Sequence, residues 1–485
     1  MDPAKTIGKN TLVLLVSQIA SMGLGFFYLV FSARYLGPEL FGLLTFALAF
    51  TGIFGLLLDL GLNSLAVREI ARDKSRANKY LSNITFIKLV TGVITLCLTA
   101  VAVLSFGYSQ EEIAVIYLLT LSTILTAFTA SFYFIFQSFE RMEYQSVGTI
   151  LSSILLLTGA IILISRSAGV VAFAAIYLFS NAIVLGYSCF IYAYKFHSFK
   201  VEIDLNFWRP TIRQALPFGL SGVFVTIYFW IDSFLLSLIQ GNQALGLYSA
   251  GYRLVFSLLF IPAVFSAAVF PAMSRFHISS QDSLQLTWKK YLRFMLILGI
   301  PIAVGTTLLA DRIITLVFGD GYAPSVVVLQ LLIWSLVFIF ANAPFFRLFE
   351  STNKQMVVTK ITGLMVLVNV AINLVLIPRF SYVGASIAML ITEFLVVALT
   401  FFLAEKDFHV LKKTELASIL LKVVSASALM GLFIAYLHNL NLFLVIVLAS
   451  LLYFGTLYVV KGIEKEDIML IKSILQASSG TRKTE

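Results

Sequence analysis

Long apolar stretches follow one another along this chain, separated by short polar breaks. A helix needs roughly 20 apolar residues to cross a bilayer, and fourteen stretches qualify. They predict spans at about 10–35, 40–61, 82–106, 112–138, 146–165, 168–195, 213–239, 244–270, 288–310, 324–349, 355–377, 381–404, 415–437 and 440–460. The longest connection lies near 197–212, which leaves no room for a sizeable extramembrane domain. The predicted class is an all-α membrane protein with about fourteen transmembrane helices.

The pattern also repeats. Residues 139–149 and 349–359 share Phe, Glu, Gln, Val and Thr at a spacing of 210, each copy joining one apolar stretch to the next. Leu36-Gly37-Pro38-Glu39-Leu40-Phe41-Gly42-Leu43 joins spans 1 and 2. Its counterpart between spans 7 and 8 is Gln240-Gly241-Asn242-Gln243-Ala244-Leu245-Gly246-Leu247, with both glycines at a spacing of 204. Glycine there permits a tight turn and a close helix approach. Six spans per copy make the halves parallel repeats about an axis along the membrane normal. The expected organisation is an N-lobe at 1–206, a C-lobe at 207–405, an extra helix pair at 406–461 and a tail at 462–485. Within the tail, Glu464 to Gln476 reads as a short amphipathic helix at the inner surface. Pro262, Pro271, Pro301 and Pro344 allow kinks inside spans.

Composition agrees: 60% of the 485 residues are hydrophobic and only 12% charged, more apolar surface than a soluble domain hides. The formal charge of +10 changes the picture only through its distribution. With the loops numbered alternately from a cytoplasmic Met1, 29 of the 34 basic residues fall on the inner side. That is the positive-inside bias, so both termini are expected in the cytoplasm and nucleic-acid binding is not. Cys97 and Cys189 lie in apolar stretches and suggest neither a disulfide framework nor a metal site.

Ionisable residues inside spans are costly unless paired or wet, which makes them site candidates. Asp232 in span 7 and Arg253 in span 8 both lie roughly 12–14 Å below the outer surface. They either form a buried ion pair locking one hairpin or line a cavity. Arg34 ends span 1 on the outer side, where it either snorkels or binds substrate. Glu393, mid-span 12, is a candidate for ion coupling, as is Asp232. Arg347 and Glu350 stand at helical spacing for a local ion pair. Asn342, Asn369 and Asn373 suit interhelical hydrogen bonds. Asp59, Arg68, Glu140 and Glu350 gather at inner ends, where they are interface anchors or parts of an inner gate.

Catalytic signatures are missing. The histidines, His197, His277, His409 and His438, fall in or beside loops, with no metal spacing, nucleophile elbow or P-loop. No enzyme activity, metal or other cofactor is expected.

Ala33-Arg34-Tyr35-Leu36-Gly37-Pro38-Glu39-Leu40-Phe41-Gly42, Asp59-Leu60-Gly61-Leu62 and Arg68-Glu69 resemble the N-terminal pattern of polysaccharide-biosynthesis membrane proteins. These are the Wzx-like oligosaccharide flippases of the multidrug/oligosaccharidyl-lipid/polysaccharide exporter superfamily. Leu216-Pro217-Phe218-Gly219, Gly246-Leu247-Tyr248-Ser249-Ala250 and Phe318-Gly319-Asp320-Gly321-Tyr322 are similar to its second half. The resemblance implies a MATE-like pair of six-helix lobes around a cavity that opens alternately to each side. It implies a lipid-linked oligosaccharide as substrate, a plasma-membrane location and contact with membrane lipids, and it allows a coupling proton or sodium ion. A phosphate or pyrophosphate headgroup would need cations, and Arg34 and Arg253 suit it by bidentate donation, with Asp232 tuning Arg253. A monomer is expected.

Two other readings stand beside it. A multidrug/cation antiporter of the same superfamily would use cavity carboxylates, and Asp232 and Glu393 keep it open. A membrane glycosyltransferase or polymerase would carry a long external loop, whereas loops such as Gly107-Tyr108-Ser109-Gln110-Glu111 are a handful of residues each.

Overall fold

A computed structural model describes residues 3–196, 201–408, 413–437 and 439–462, and the regular structure among them is helical. In chain order the helices are α1 (Pro3–Phe54), α2 (Leu62–Arg72), α3 (Ala77–Phe106), α4 (Gln110–Ser138), α5 (Met142–Ser165), α6 (Val170–Phe196) and α7 (Leu205–Gln240). Then come α8 (Asn242–Ser257), α9 (Phe260–Ser279), α10 (Gln281–Phe318), α11 (Ser325–Ser351), α12 (Gln355–Phe408), α13 (Lys413–Tyr436) and α14 (Leu442–Val459). His197, His409, His438 and the 464–476 segment lie outside the described residues.

Twelve helical stretches among the described residues are long and apolar enough to cross a bilayer. Two are too long for one crossing. α1 and α12, with 52 and 54 residues, would each extend about 80 Å against a hydrocarbon core of about 30 Å. Each turns at one non-helical residue: Gly37 (φ 71°, ψ 174°) in α1 and Ser381 (φ 52°, ψ −132°) in α12. The backbone of Leu376 lies against Gly384, so the chain folds over between them. Counting each as a pair gives fourteen spans.

The 204-spaced echo is one corner built twice. Gly241, between α7 and α8, takes φ 83° and ψ 176°, the conformation of Gly37, in a region essentially closed to residues with a Cβ. Pro38 then opens the next helical segment, where its missing N–H costs nothing. The second span of each half also breaks at the matching place. α1 gives way at Phe54 to a tight 3-10 turn, Gly55–Leu58. At the same spacing, i→i+3 bonds from Leu258 to Val255 and from Leu259 to Phe256 separate α8 from α9. Pro262 explains the second break, because its ring removes an N–H and crowds the carbonyl four residues back, at Leu258.

The other echo is built in a different register. The N–H of Arg141 donates to Phe136 O (2.8 Å) and that of Glu140 to Gln137 O (3.0 Å). In the second copy Lys354 donates to Phe349 O (2.8 Å) and Asn353 to Glu350 O (3.3 Å). Glu140 (φ 57°) and Asn353 (φ 60°) hold the same left-handed cap position. The structural spacing here is 213, so Glu140 matches Asn353 and Glu350 matches Gln137, not each other. Backbone capping, rather than side-chain identity, sets this turn.

The chain divides into two compact units, each with its own interior. Unit 1 comprises Met1–Ala250, Val317–Pro324 and Thr362–Ala388, and unit 2 comprises Gly251–Leu316, Ser325–Ile361 and Met389–Glu485. In unit 1, the ends of α2, α3, α4, α6 and α7 that the charge bias assigns to the cytoplasm meet in one core. It includes Leu65, Ile70, Ile84, Phe134, Phe136 and Ala215. Asn83 of α3 ties the connector before α7 to that core. It donates to Glu202 O (2.8 Å) and accepts from Asp204 N (2.9 Å) and Trp208 Nε1 (3.0 Å). Lys79 meets Asp204 at 2.9 Å, and this hydrogen bond holds the Asp204 carboxyl below its ordinary value. In unit 2, Trp288 of α10 packs edge-on against Phe345 of α11 at 5.1 Å. Tyr453 Oη of α14 donates to Ile297 O of α10 at 2.8 Å.

Candidate functional site

Asp232 is 2% exposed, in the apolar run of α7. Its Oδ1 accepts from Asn373 Nδ2 at 2.6 Å and its Oδ2 from Tyr248 Oη at 3.2 Å. Asn373 Nδ2 also donates to Asn369 Oδ1 at 2.9 Å, one helical turn away on α12. Oδ1 of Asn373 is buried without a hydrogen-bond partner. Three segments of unit 1 thus bring oxygens of one carboxylate, two amides and a phenol together in a site from which solvent is excluded. An acceptor-rich cluster with an orphaned oxygen can hold a proton or a hard cation.

A second buried charge lies in α3. Lys88 is 0% exposed. Its Nζ donates to Asn63 Oδ1 (2.7 Å), Ala127 O (2.9 Å) and Ser131 Oγ (3.1 Å), which occupies all three ammonium protons. Asn63 belongs to the corner after span 2, where Asp59 Oδ1 accepts from Asn63 N at 3.1 Å. Lys88 therefore fastens that corner to α4. The corner also touches α7: Gly61 and Gly219 approach so closely that neither has room for a side chain. The Arg68 guanidinium lies 4.9 Å from the Phe218 ring centre.

The other predicted residues are spread out. Arg34 is exposed at the first corner, and its Nε donates to Val317 O at 2.8 Å. Beside it, Tyr322 Oη donates to Ala33 O at 2.9 Å, so the Phe318–Tyr322 motif is fastened to the end of span 1. Arg253, on α8, is half-buried, and Glu393, on α12, is buried. Both belong to unit 2, whereas Asp232 belongs to unit 1. Glu69 gathers Arg68 (2.9 Å), Arg76 (3.3 Å) and Arg72 (3.4 Å). Glu140 has an exposed side chain, and its carbonyl accepts from Asn10 Nδ2 at 3.0 Å. Glu350 pairs with Arg347, as their spacing suggests. Asn342 Oδ1 accepts from Thr400 Oγ1 at 2.9 Å across two spans. No metal-binding group of three or more His, Cys, Asp or Glu occurs among the described residues.

Comparison with known proteins adds the decisive observation. The sequence profile of the polysaccharide biosynthesis proteins matches residues 7–277, more than half of the chain. The chain belongs to this family. A second profile, MatE, matches residues 217–375. Among curated relatives, the capsular polysaccharide biosynthesis protein CapF of Staphylococcus aureus is 23% identical, over 82% of this chain and all of that protein. The probable low-salt glycan biosynthesis flippase Agl15 of Haloferax volcanii is 24% identical over 79% of this chain and 80% of its own. The fold is that of the lipid II flippase MurJ in an inward closed conformation, at a TM-score of 0.75. That match has 16% identity and covers 92% of this chain and 98% of the other. An inward-facing multidrug resistance MATE transporter matches at 0.69, with 16% identity, over 84% and 99% of the two chains. This member of the polysaccharide biosynthesis family is thus a multi-pass membrane protein of MurJ/MATE-like fold.

Lys88 is the residue that sequence reading missed, because it was counted with the inner-side orientation charges. Its signal was present. Lys88 falls four and seven positions after Ile84 and Leu81, both fully buried, so it shares their face of α3. Tyr248 carried no comparable signal, since its role depends on Asp232 coming from another helix.

Proposed function

We propose that this protein is an alternating-access flippase. It carries a lipid-linked oligosaccharide, joined through phosphate or pyrophosphate, from the cytoplasmic to the outer leaflet for polysaccharide or glycoconjugate synthesis. The observation that carries this reading is the family match over residues 7–277, together with relatives named for glycan flipping and O-antigen transport. The location is the plasma membrane, with both termini in the cytoplasm, and the working unit is a monomer without catalytic activity. The halves 1–206 and 207–405 rock about their common axis. Arg34 and Arg253 hold the phosphate group while the lipid tail stays in the bilayer. Asp232, with Tyr248, Asn369 and Asn373, takes the coupling proton or sodium ion, and Glu393 is a second candidate. Asp59, Arg68, Glu140 and Glu350 contribute to the inner gate.

The test is deletion of the gene in its host, followed by assignment of lipid-linked oligosaccharides to each leaflet. Accumulation on the cytoplasmic leaflet, not rescued by Arg34→Ala or Arg253→Ala chains that still insert, is the expected result. Full rescue by both variants would remove the phosphate-binding roles. The antiporter reading is favoured by one observation: the MatE match spans Asp232, Asn369 and Asn373. Drug hypersensitivity with normal glycans would establish it instead.

A further inference from the structure

The ends of α3 to α6 that carry the inner-side charges enclose a cavity of about 580 Å³ in unit 1, within the range of small-molecule sites. Lys74, Arg141 and Lys195 line it, and no carboxylate does among the described residues. Its floor is aromatic. Phe196 stacks on Tyr192 (5.7 Å between ring centres) and meets Phe139 edge-on at 5.1 Å, and Tyr144 also lines the wall. Lys74 Nζ lies 5.4 Å from the Phe139 ring centre and Lys195 Nζ 4.7 Å from that of Tyr194.

The nearby acids leave the two lysines of this lining unpaired. Asp73 is engaged by Ser75, whose N–H and hydroxyl both donate to its Oδ1. Glu143 pairs with Arg141, at 3.4 Å. Lys74 and Lys195 make no ion pair among the described residues. The long helix α5 also begins at the cavity wall, after Arg141, and has no side-chain cap. Uncapped N–H groups at this helix start add to the positive potential. Two lysines held on aromatic faces without carboxylate partners, beside Arg141 and over an apolar floor, suit an anion attached to something greasy.

We propose that this cavity binds a phosphate monoester or diester group, presented by an anionic lipid of the inner leaflet or as a free phosphate. The site is distinct from the Asp232 cluster and does not depend on the translocation reading. Where a lipid presents the group, the site ties the α3–α6 end of the protein to the membrane surface at a fixed depth.

The test uses the purified full chain in neutral detergent and reads thermal unfolding. Three additives are compared: a short-chain phosphatidylglycerol, the matching phosphatidylcholine, and inorganic phosphate. Phosphatidylglycerol is expected to raise the midpoint by about 2–4 °C over phosphatidylcholine. A shift with phosphatidylglycerol alone identifies the lipid source, and a shift with inorganic phosphate as well identifies the phosphate group itself as sufficient. A triple variant, Lys74→Gln with Arg141→Gln and Lys195→Gln, should lose the shift. Lys289→Gln with Lys290→Gln, at another basic surface, should keep it. If the triple variant does not purify, Lys74→Gln and Lys195→Gln are titrated singly, each expected to need several-fold more lipid for the half-maximal shift. No shift in the wild-type chain with either anion, or an undiminished shift in the variants, overturns the proposal.

Discussion

The amide nitrogen of Asn373 stands 2.6 Å from Oδ1 of Asp232, joining α12 to α7 inside a solvent-free site. The carboxylate is thereby oriented, with one oxygen toward Asn373 and the other toward Tyr248. A coupling ion bound here would change the net charge of the cluster and, with it, the cost of keeping it buried.

Replacing Asp232 by Asn keeps the shape and removes the charge. In proteoliposomes, translocation by Asp232→Asn is expected to fall by about tenfold or more, about 1.4 kcal/mol of lost driving interaction. It should also stop responding to an imposed sodium or proton gradient. A variant that keeps wild-type gradient dependence would falsify the ion role. Asn373→Ala, which leaves Asp232 one donor short, should lower stability by about 1–3 kcal/mol.

Lys88 makes a different prediction, about the fold of the corner after span 2. Lys88→Met deprives Asn63 Oδ1, Ala127 O and Ser131 Oγ of their donor, at an expected loss of about 1–3 kcal/mol. Thermal unfolding of the purified chain measures it, with the exposed Lys360→Met as the comparison. Lys88→Arg should not rescue, because a planar guanidinium does not fit a space shaped for a tetrahedral ammonium. Wild-type stability in Lys88→Met would mean the corner is held by other contacts.

The paired corners at Gly37 and Gly241 supply a third. A methyl group on Gly246 would overlap the carbonyl of Pro38, and one on Gly42 would overlap the carbonyl of Asn242. Since Asn242 and Gly246 follow Pro38 and Gly42 at the repeat spacing, the two corners clasp each other reciprocally. Gly42→Ala or Gly246→Ala should part them and slow translocation, whereas Gly321→Ala, with open space around it, should not. A cysteine at buried Leu43, in a chain whose Cys97 and Cys189 are replaced by serine, reports the opening as faster labelling by a water-soluble thiol reagent. Unchanged labelling in both glycine variants would show that the corner tolerates the methyl groups.

Much of this was legible from the chain alone, for a physical reason. Span length and apolar content are set by the thickness of the bilayer, so they appear as local runs in the sequence. Gly37 and Gly241 appeared as an echo because only glycine fits their conformation, which makes identity and geometry coincide. The Phe139 and Phe349 echo misled by three positions because the cap it borders is a backbone arrangement that Glu140 and Asn353 satisfy equally. Asp232 was recognised as costly from its neighbours along the chain, but its partners were not.

The sequence by itself determined that this is a membrane protein of fourteen spans, repeated once and related to the polysaccharide biosynthesis proteins. Those properties rest on hydrophobic length, on glycine's backbone freedom and on residues close in the chain. Only the tertiary structure decided that Asp232 meets Tyr248 and Asn373, that Lys88 spends its protons on α2 and α4, and that Gly42 and Gly246 clasp across the repeat. A buried polar group must find partners wherever the packing supplies them, and here those partners lie up to 141 residues away.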